Sequence, residues 1–394
     1  MFRNIIAFVK HKPGFTMGFL LGVSSLLLGI WVAALPAIKQ RLGFTDGSLG
    51  LSLLLSPIGS LTGVALSSQL FSRIKVGKWL LAGPVIQCLL FIVMVTVQYK
   101  LVFWMVLFAI GLVGFLNGVS INAVIDMIEK KYQKRIMSSC HGMYSLGGGI
   151  SAGLAALFYS LHIASGYQIV LVAAIIITIL VYIRAHLLTH QNYIHSGSSL
   201  SAPPLTIIGL AFICFVSFMG EGSIADWSAI YLKESLHSTV ALASLGYAGF
   251  SVMMAIGRFN GDALIPKTGP KKIVIAGTLI AALGFLLAIA FHNKATAIAG
   301  FSLVGIGYAC VVPILFSAAA NVPGISPAVG ISSIASGGLI GFLFGPSVIG
   351  IVAEKINLAA GLSFVLALNL IASFVATRNK FLATDTNAAF IELS

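Results

Sequence analysis

The sequence has very little charge. Only 8% of its 394 residues are Asp, Glu, Lys or Arg, whereas 58% are hydrophobic, and the mean hydropathy is +1.04. A soluble domain of this length needs far more polar surface, so the composition excludes that class. Acidic residues are the scarcest charged type, with 10 Asp and Glu against 23 Lys and Arg.

Cysteine is scarce, and clustered catalytic residues are lacking. The four cysteines show neither a CxxC pattern nor a Cys/His spacing typical of metal sites, so we expect small buried apolar side chains and no metal. The eight histidines are scattered along the chain. The sequence therefore predicts no enzyme and no cofactor.

Long apolar runs are what the sequence has instead. Twelve stretches, each about the length that spans a bilayer, follow one another between residues 15 and 377. Lys and Arg crowd the two ends and every second connection, which predicts that both termini are cytoplasmic. The net charge of +13 is thereby assigned to topology and the lipid bilayer, not to nucleic acid.

The two halves of the chain repeat each other at an offset of 194 residues, so that Gly63 matches Gly257 and Gly147 matches Gly341. Two parallel repeats of six helices predict a binding site between the halves, near mid-membrane. The predicted divisions are a six-helix bundle over 1–188, a cytoplasmic linker over 189–203 and a second bundle over 204–394.

Glycine-rich runs at 147–153 and 336–346 fall on equivalent helices of the two repeats. Small residues let helices approach closely, so we expect tight helix contacts there.

The whole chain, with its twelve helices and repeated halves, resembles the major facilitator superfamily (MFS) of secondary transporters. That family's loop signature is G-x-L-x-D-R-x-G-R-K. The corresponding segments here are SQLFSRIKVGK (68–78) and DALIPKTGPKK (262–272). Ser72 and Pro266 replace the signature Asp, so the resemblance implies a weakened or rebuilt inner gate, with Arg73 at the signature's basic position.

The stretch GEGSIADWSAIYL is similar to a branch of bacterial inner-membrane permeases distantly related to fucose–proton symporters. This resemblance implies a multi-pass protein of the bacterial inner membrane.

Two carboxylates, Glu221 and Asp226, interrupt the apolar seventh stretch, and Gly220 and Gly222 flank the first. An ionised carboxylate within a membrane is costly unless it faces a cavity, pairs with a cation or binds a proton. We expect Glu221 to be the proton-coupling residue, with a structural hydrogen bond as the alternative. An ideal helix turns them about 140° apart, so Asp226 is expected to serve the outer end or, alternatively, coupling. A break at the glycines would let both face the cavity.

Four further residues are candidates for gating. Arg258 and Asp262 are spaced i, i+4 and are expected to pair, either as an inner gate or in simple charge neutralisation. Asp126 and His141 lie at matching depth and can pair as a pH-sensitive gate, or His141 is a buried hydrogen-bonding group.

No Lys or Arg is expected in the membrane middle, so the predicted substrate is neutral or cationic. Amides and aromatic rings are candidates to bind it, although interhelical hydrogen bonds and interfacial anchoring are alternative roles for them. The candidates are Asn117, Asn122, Trp31, Tyr144, Trp227, Tyr231 and Tyr308.

These observations together predict a monomeric, proton-coupled transporter that moves a small, neutral, sugar-like solute by alternating access. The alternative is a proton-driven antiporter that exports a drug or metabolite.

Overall fold

The computed structural model describes residues 6, 8–134, 136–190 and 203–382, without the side chains of residues 262, 263 and 328. Within these ranges all regular elements are helical, which confirms the predicted fold class. The α-helices are α1 (Lys12–Leu42), α2 (Asp46–Leu53), α3 (Leu55–Arg73), α4 (Val76–Thr96), α5 (Lys100–Tyr132), α6 (Met137–Ser160), α7 (Ser165–Leu187), α8 (Ile208–Ile230), α9 (Val240–Thr268), α10 (Pro270–Ala290), α11 (Lys294–Tyr308), α12 (Val311–Ala320), α13 (Pro327–Lys355) and α14 (Leu358–Arg378). Leu205–Ile207 and Lys380–Leu382 form short 3₁₀ turns, and Tyr231–Ser235 is a π-helical turn that continues α8.

In the described part of the chain, eleven segments are long and apolar enough to cross a membrane. Two of these segments consist of consecutive helices, α2 with α3 and α11 with α12. Helix α6 is richer in glycine and serine, and its 24 residues rise about 36 Å, which is enough to cross a bilayer. Short connections join α6 to the full-length helices α5 and α7, so α6 provides the twelfth crossing.

Helices α1–α7 form the N-half and helices α8–α14 form the C-half. We call the side where α1 begins and α14 ends the terminal face, and the opposite side the distal face. The two halves pack most extensively through α6 against α9 and through α2 against α13.

Glycine allows the close contact between α6 and α9. A Cβ atom at Gly149 would lie 2.8 Å from Val252 Cγ2 and 3.1 Å from the Val252 backbone nitrogen. At Gly341 on α13, a Cβ atom would collide with the backbone of α8 at Phe215. Both glycine-rich runs therefore make the close helix contacts expected from the sequence.

A tight turn at the distal face leads from α1 into α2. Gly43 ends α1 with φ +62°, a left-handed conformation that favours glycine. Thr45 then caps α2: its side chain accepts from the Ser48 nitrogen at 3.2 Å, and the Ser48 hydroxyl accepts from the Thr45 nitrogen at 2.8 Å. This turn brings the last residues of α1 beside the first residue of α2.

All four cysteines, Cys88, Cys140, Cys214 and Cys310, are buried, as expected from the sequence.

Candidate substrate and coupling site

A cavity of about 540 Å³ lies between the two halves. Helices α1 to α6 contribute to its N-half wall, and α8, α9 and α13 contribute to its C-half wall. Seven of the residues selected from the sequence line it: Trp31, Asn117, Asn122, His141, Tyr144, Glu221 and Asp226.

Both carboxylates of α8 line this one cavity, so the expectation that Asp226 turns away to the outer end does not hold. The cavity includes residues of both helices that flank α8, Tyr247 on α9 and Phe342 on α13. Because the cavity extends around α8 in this way, side chains about 140° apart on the helix reach the same space.

Helix α8 is continuous from Ile208 to Ile230, so the break that its glycines would permit is absent from this described helix. Its glycines make room for neighbouring rings instead. A Cβ atom at Gly220 would clash with the Tyr308 ring, and one at Gly222 would lie 3.0 Å from Phe342 Cδ1. Packing space, not flexibility, accounts for glycine on both sides of Glu221.

Arg258 on α9 reaches the centre of the protein. One guanidinium nitrogen, Nη2, lies 3.7 Å from Glu221 Oε1, and the other, Nη1, donates to the Ser145 hydroxyl at 2.8 Å and to the His141 carbonyl at 3.4 Å. The side chains of Arg258 and Glu221 are 13% and 18% exposed. The expectation that no cation lies in the membrane middle is therefore wrong, and Arg258 joins α9 to α8 and to α6 of the other half.

The expected Arg258–Asp262 pair depends on an Asp262 side chain that lies outside the described residues.

Asp226 has no charged partner in the part of the chain that the structure describes: the four ion pairs found there involve other carboxylates. Arg258 and Glu221 cancel each other's charge. When all three groups are ionised, the C-half wall therefore carries one uncompensated negative charge.

Amide groups line the opposite wall. Asn117 Nδ2 donates to Gln87 Oε1 on α4 at 2.5 Å, while the buried Oδ1 atoms of Asn117 and Asn122 accept no hydrogen bond from the described residues. Both asparagines line the cavity, although their five-residue spacing predicts that only one touches the ligand. Sequence reasoning missed Gln87, whose signal is an amide within the apolar α4.

Three aromatic candidates lie away from the cavity lining and pack inside the C-half. Trp227 is fully buried. The Tyr231 hydroxyl donates to the Ala288 carbonyl at 3.3 Å, and the Tyr308 hydroxyl donates to Asn369 Oδ1 at 2.9 Å.

The other gating candidates lie nearer the terminal face. Asp126 pairs with Lys130, one turn along α5, at 2.7 Å and not with His141. The Asp126 side chain is half exposed. Arg73 is exposed in the last turn of α3.

Comparisons with known proteins agree with this fold. The model of the Major Facilitator Superfamily matches residues 17–322 and, in a second match, residues 210–388. An uncharacterized MFS-type transporter of Yersinia pestis is 33% identical over 359 residues, which cover 89% of this chain and 92% of that protein. Membrane protein MosC of Rhizobium meliloti is 30% identical over 366 residues, covering 89% of this chain and 86% of MosC.

Among solved structures, the crystal structure of the nucleoside transporter NupG is similar, with a TM-score of 0.66 and 13% identity. The match covers 94% of this chain and 99% of NupG. At this identity the likeness shows the fold alone.

Proposed function

The chain belongs to the major facilitator superfamily and is therefore a secondary transporter and not an enzyme, and we propose that it is a proton-coupled symporter of a small, neutral, sugar-like solute. In this proposal the two halves rock about the central cavity, which opens to one side of the membrane at a time. The proton gradient supplies the driving force, and the protein works as a monomer without a cofactor.

The observation that carries the proposal is the position of Asp226. Its carboxylate lines a cavity inside the membrane and has no cation beside it among the described residues. An uncompensated charge in such a place is costly. Binding one proton removes that cost, so the two halves would rock more easily around a protonated, solute-loaded cavity than around an empty, charged one.

The Glu221–Arg258 pair gives a second place at which a proton can act. If Glu221 were protonated, Arg258 would lose its ionic partner on α8 but keep its hydrogen bonds to Ser145 and the His141 carbonyl on α6. Proton binding would then remove a contact within the C-half and leave the contacts between the halves in place. Such a change in contacts is what couples a ligand to a conformational equilibrium.

The lining of the cavity supports a neutral substrate. Arg258 is already matched by Glu221, so an anionic solute would meet a wall with a net negative charge. Hydroxyl groups of a solute can bond with the amides of Asn117, Asn122 and Gln87, and the rings of Trp31 and Tyr144 offer flat apolar surfaces. The volume of about 540 Å³ falls within the range of small-molecule sites.

We further propose that the terminal face is the cytoplasmic face of a bacterial inner membrane. The distribution of Lys and Arg along the sequence supports this orientation. The proposed bundles correspond to residues 1–188 and 204–394, with the linker over 189–203.

Uptake into proteoliposomes under an imposed pH gradient tests the proposal. Labelled hexoses, polyols and nucleosides form the panel, because all of them are neutral and rich in hydroxyl groups, and the fold neighbour NupG is a nucleoside transporter. We expect one of these classes to accumulate only when the gradient is present. Asp226→Asn should reduce gradient-driven accumulation at least about tenfold while preserving exchange of labelled for unlabelled solute, because only proton binding is removed.

Asp126→Asn is the matched comparison. It makes the same chemical change at a half-exposed carboxylate paired with Lys130, and coupled uptake should persist. If Asp226→Asn and Glu221→Gln both accumulate solute as well as the wild type does, the protons are not carried by these residues. Solute efflux driven by inward proton flow would instead establish the antiporter.

A further inference from the structure

A single lysine at the distal face touches carboxylates from both halves of the protein. Lys39, in the last turn of α1, places its Nζ 2.6 Å from Asp46 Oδ1 and 2.5 Å from Glu234 Oε2. Asp46 begins α2 in the same half, whereas Glu234 lies in the π-helical turn that follows α8 in the C-half. We call these three residues the distal clamp.

Two neighbouring contacts tie α2 of the N-half to α13 of the C-half. Glu354 Oε2 accepts a hydrogen bond from the Gly47 nitrogen at 2.7 Å. About one helical turn further along α2, the Ser347 hydroxyl donates to the Gly50 carbonyl at 3.2 Å. The distal ends of both α8 and α13 are therefore held against the N-half.

The two arms of the clamp differ in what they connect. Lys39 is 7% exposed, so its ammonium group depends on protein carboxylates for compensation. The Asp46 arm is built into the α1–α2 turn and does not depend on the position of the C-half. The Glu234 arm exists only while the distal ends of the two halves are together.

We propose that Lys39 is the positioning residue of a distal gate: the Lys39–Glu234 ion pair holds the cavity shut on that side and must break each time the transporter opens there. The Lys39–Asp46 pair persists through the cycle and keeps the buried ammonium compensated while the gate is open. An interaction made in one state and absent from the other sets the balance between the states. This role concerns the conformational step alone and does not depend on the identity of the solute or on proton coupling.

Distances between the halves test this proposal directly. Nitroxide labels on Gln98→Cys and Lys294→Cys report the separation of the distal ends, because both residues are exposed at that face, one in each half. Double electron–electron resonance is recorded on the full chain in lipid nanodiscs without solute. In Glu234→Gln we expect the population with the longer distance to rise at least about fivefold over the unsubstituted protein.

Lys39→Gln should produce a similar rise. Glu234→Gln remains the decisive variant, because this change should not disturb folding: the Glu234 side chain is 41% exposed, and Lys39 keeps Asp46 as a partner. The matched control is Lys100→Gln, another lysine at the distal face, whose Nζ donates to the Gly43 carbonyl at 3.2 Å within the N-half. Its distance distribution should match that of the unsubstituted protein.

If Glu234→Gln leaves the distance distribution unchanged, the ion pair does not hold the gate and the proposal is wrong. An equal rise in Lys100→Gln would also overturn it, because removing a charge at the distal face outside the clamp would then have the same effect.

Discussion

Replacing Arg258 alone should destabilise the protein more than replacing Arg258 and Glu221 together. Arg258→Met removes the guanidinium group and leaves Glu221 without a counter-ion inside the membrane. It also removes the hydrogen bond to the Ser145 hydroxyl. Arg258→Met combined with Glu221→Gln removes the stranded charge as well.

The size of the effect follows from the separation of 3.7 Å between Arg258 Nη2 and Glu221 Oε1. Two unit charges at that distance attract by about 4 kcal/mol at an effective dielectric constant of about 20. Both side chains are slightly exposed, at 13% and 18%, which lowers the net value. We therefore expect Arg258→Met to lose about 3 kcal/mol of unfolding free energy and the double variant to regain about 2 kcal/mol of it.

Thermal unfolding in detergent measures this difference, with all variants compared at one pH and one salt concentration. Arg73→Met is the control, because Arg73 is exposed at the end of α3. This variant should unfold like the wild type. If the losses of the two single variants simply add in the double variant, Arg258 and Glu221 are not coupled and the description of the central pair fails.

Two further predictions use the same unfolding measurement. Gly149→Ala should lower the unfolding free energy by about 1–3 kcal/mol and slow transport, because its methyl group would enter the backbone contact between α6 and α9. Gly153→Ala should be neutral or slightly stabilising, because the added carbon meets no atom outside its own helix backbone within 4 Å. Equal behaviour of the two variants would contradict the close contact. Tyr308→Phe should lower the unfolding free energy by about 1–2 kcal/mol, because the buried Asn369 side chain would lose its hydrogen-bond donor. Tyr182→Phe, on the exposed surface, should leave the unfolding free energy unchanged. Unfolding of Tyr308→Phe at the wild-type temperature would show that the hydrogen bond is unimportant.

The fold could be predicted because membrane helices follow simple rules. Length and apolarity alone locate the crossings, and the internal repeat indicates two related halves. The boundaries between consecutive helices within one membrane crossing could not be predicted in the same way. The α2–α3 boundary at Leu54 and the α11–α12 boundary near Cys310 lie within apolar runs that show no change in composition.

Part of the cavity lining could be predicted from the sequence, because Glu221, Asp226 and Asn117 are polar groups in apolar helices and all of them line the cavity. Their partners were harder to find. A single sequence favours pairs one turn apart, such as Arg258 with Asp262, whereas a long arginine side chain can reach a neighbouring helix. The shape of the cavity is equally invisible in the sequence, and it decides that Asp226 faces the same space as Glu221.

The aromatic candidates show the same limit of prediction from a single sequence. The rings of Trp227, Tyr231 and Tyr308 suit ligand binding, yet the structure places all three in the packed interior of the C-half. Ring chemistry is the same in both settings, so only the arrangement of neighbouring helices distinguishes them.

The unbroken α8 connects two carboxylates that lie in different parts of the protein. Glu221 in the cavity and Glu234 at the distal face are carried on the same rod, α8 and its π-helical extension, roughly 20 Å apart along its axis. Over that length, a tilt of only about 5° displaces the far end by roughly 1.7 Å. If it is directed away from Lys39, this displacement lengthens the 2.5 Å contact with Glu234 to about 4.2 Å, beyond the distance of an ion pair. Because α8 has no hinge between Ile208 and Ile230, a tilt of this helix at the central cavity also displaces Glu234 at the distal face.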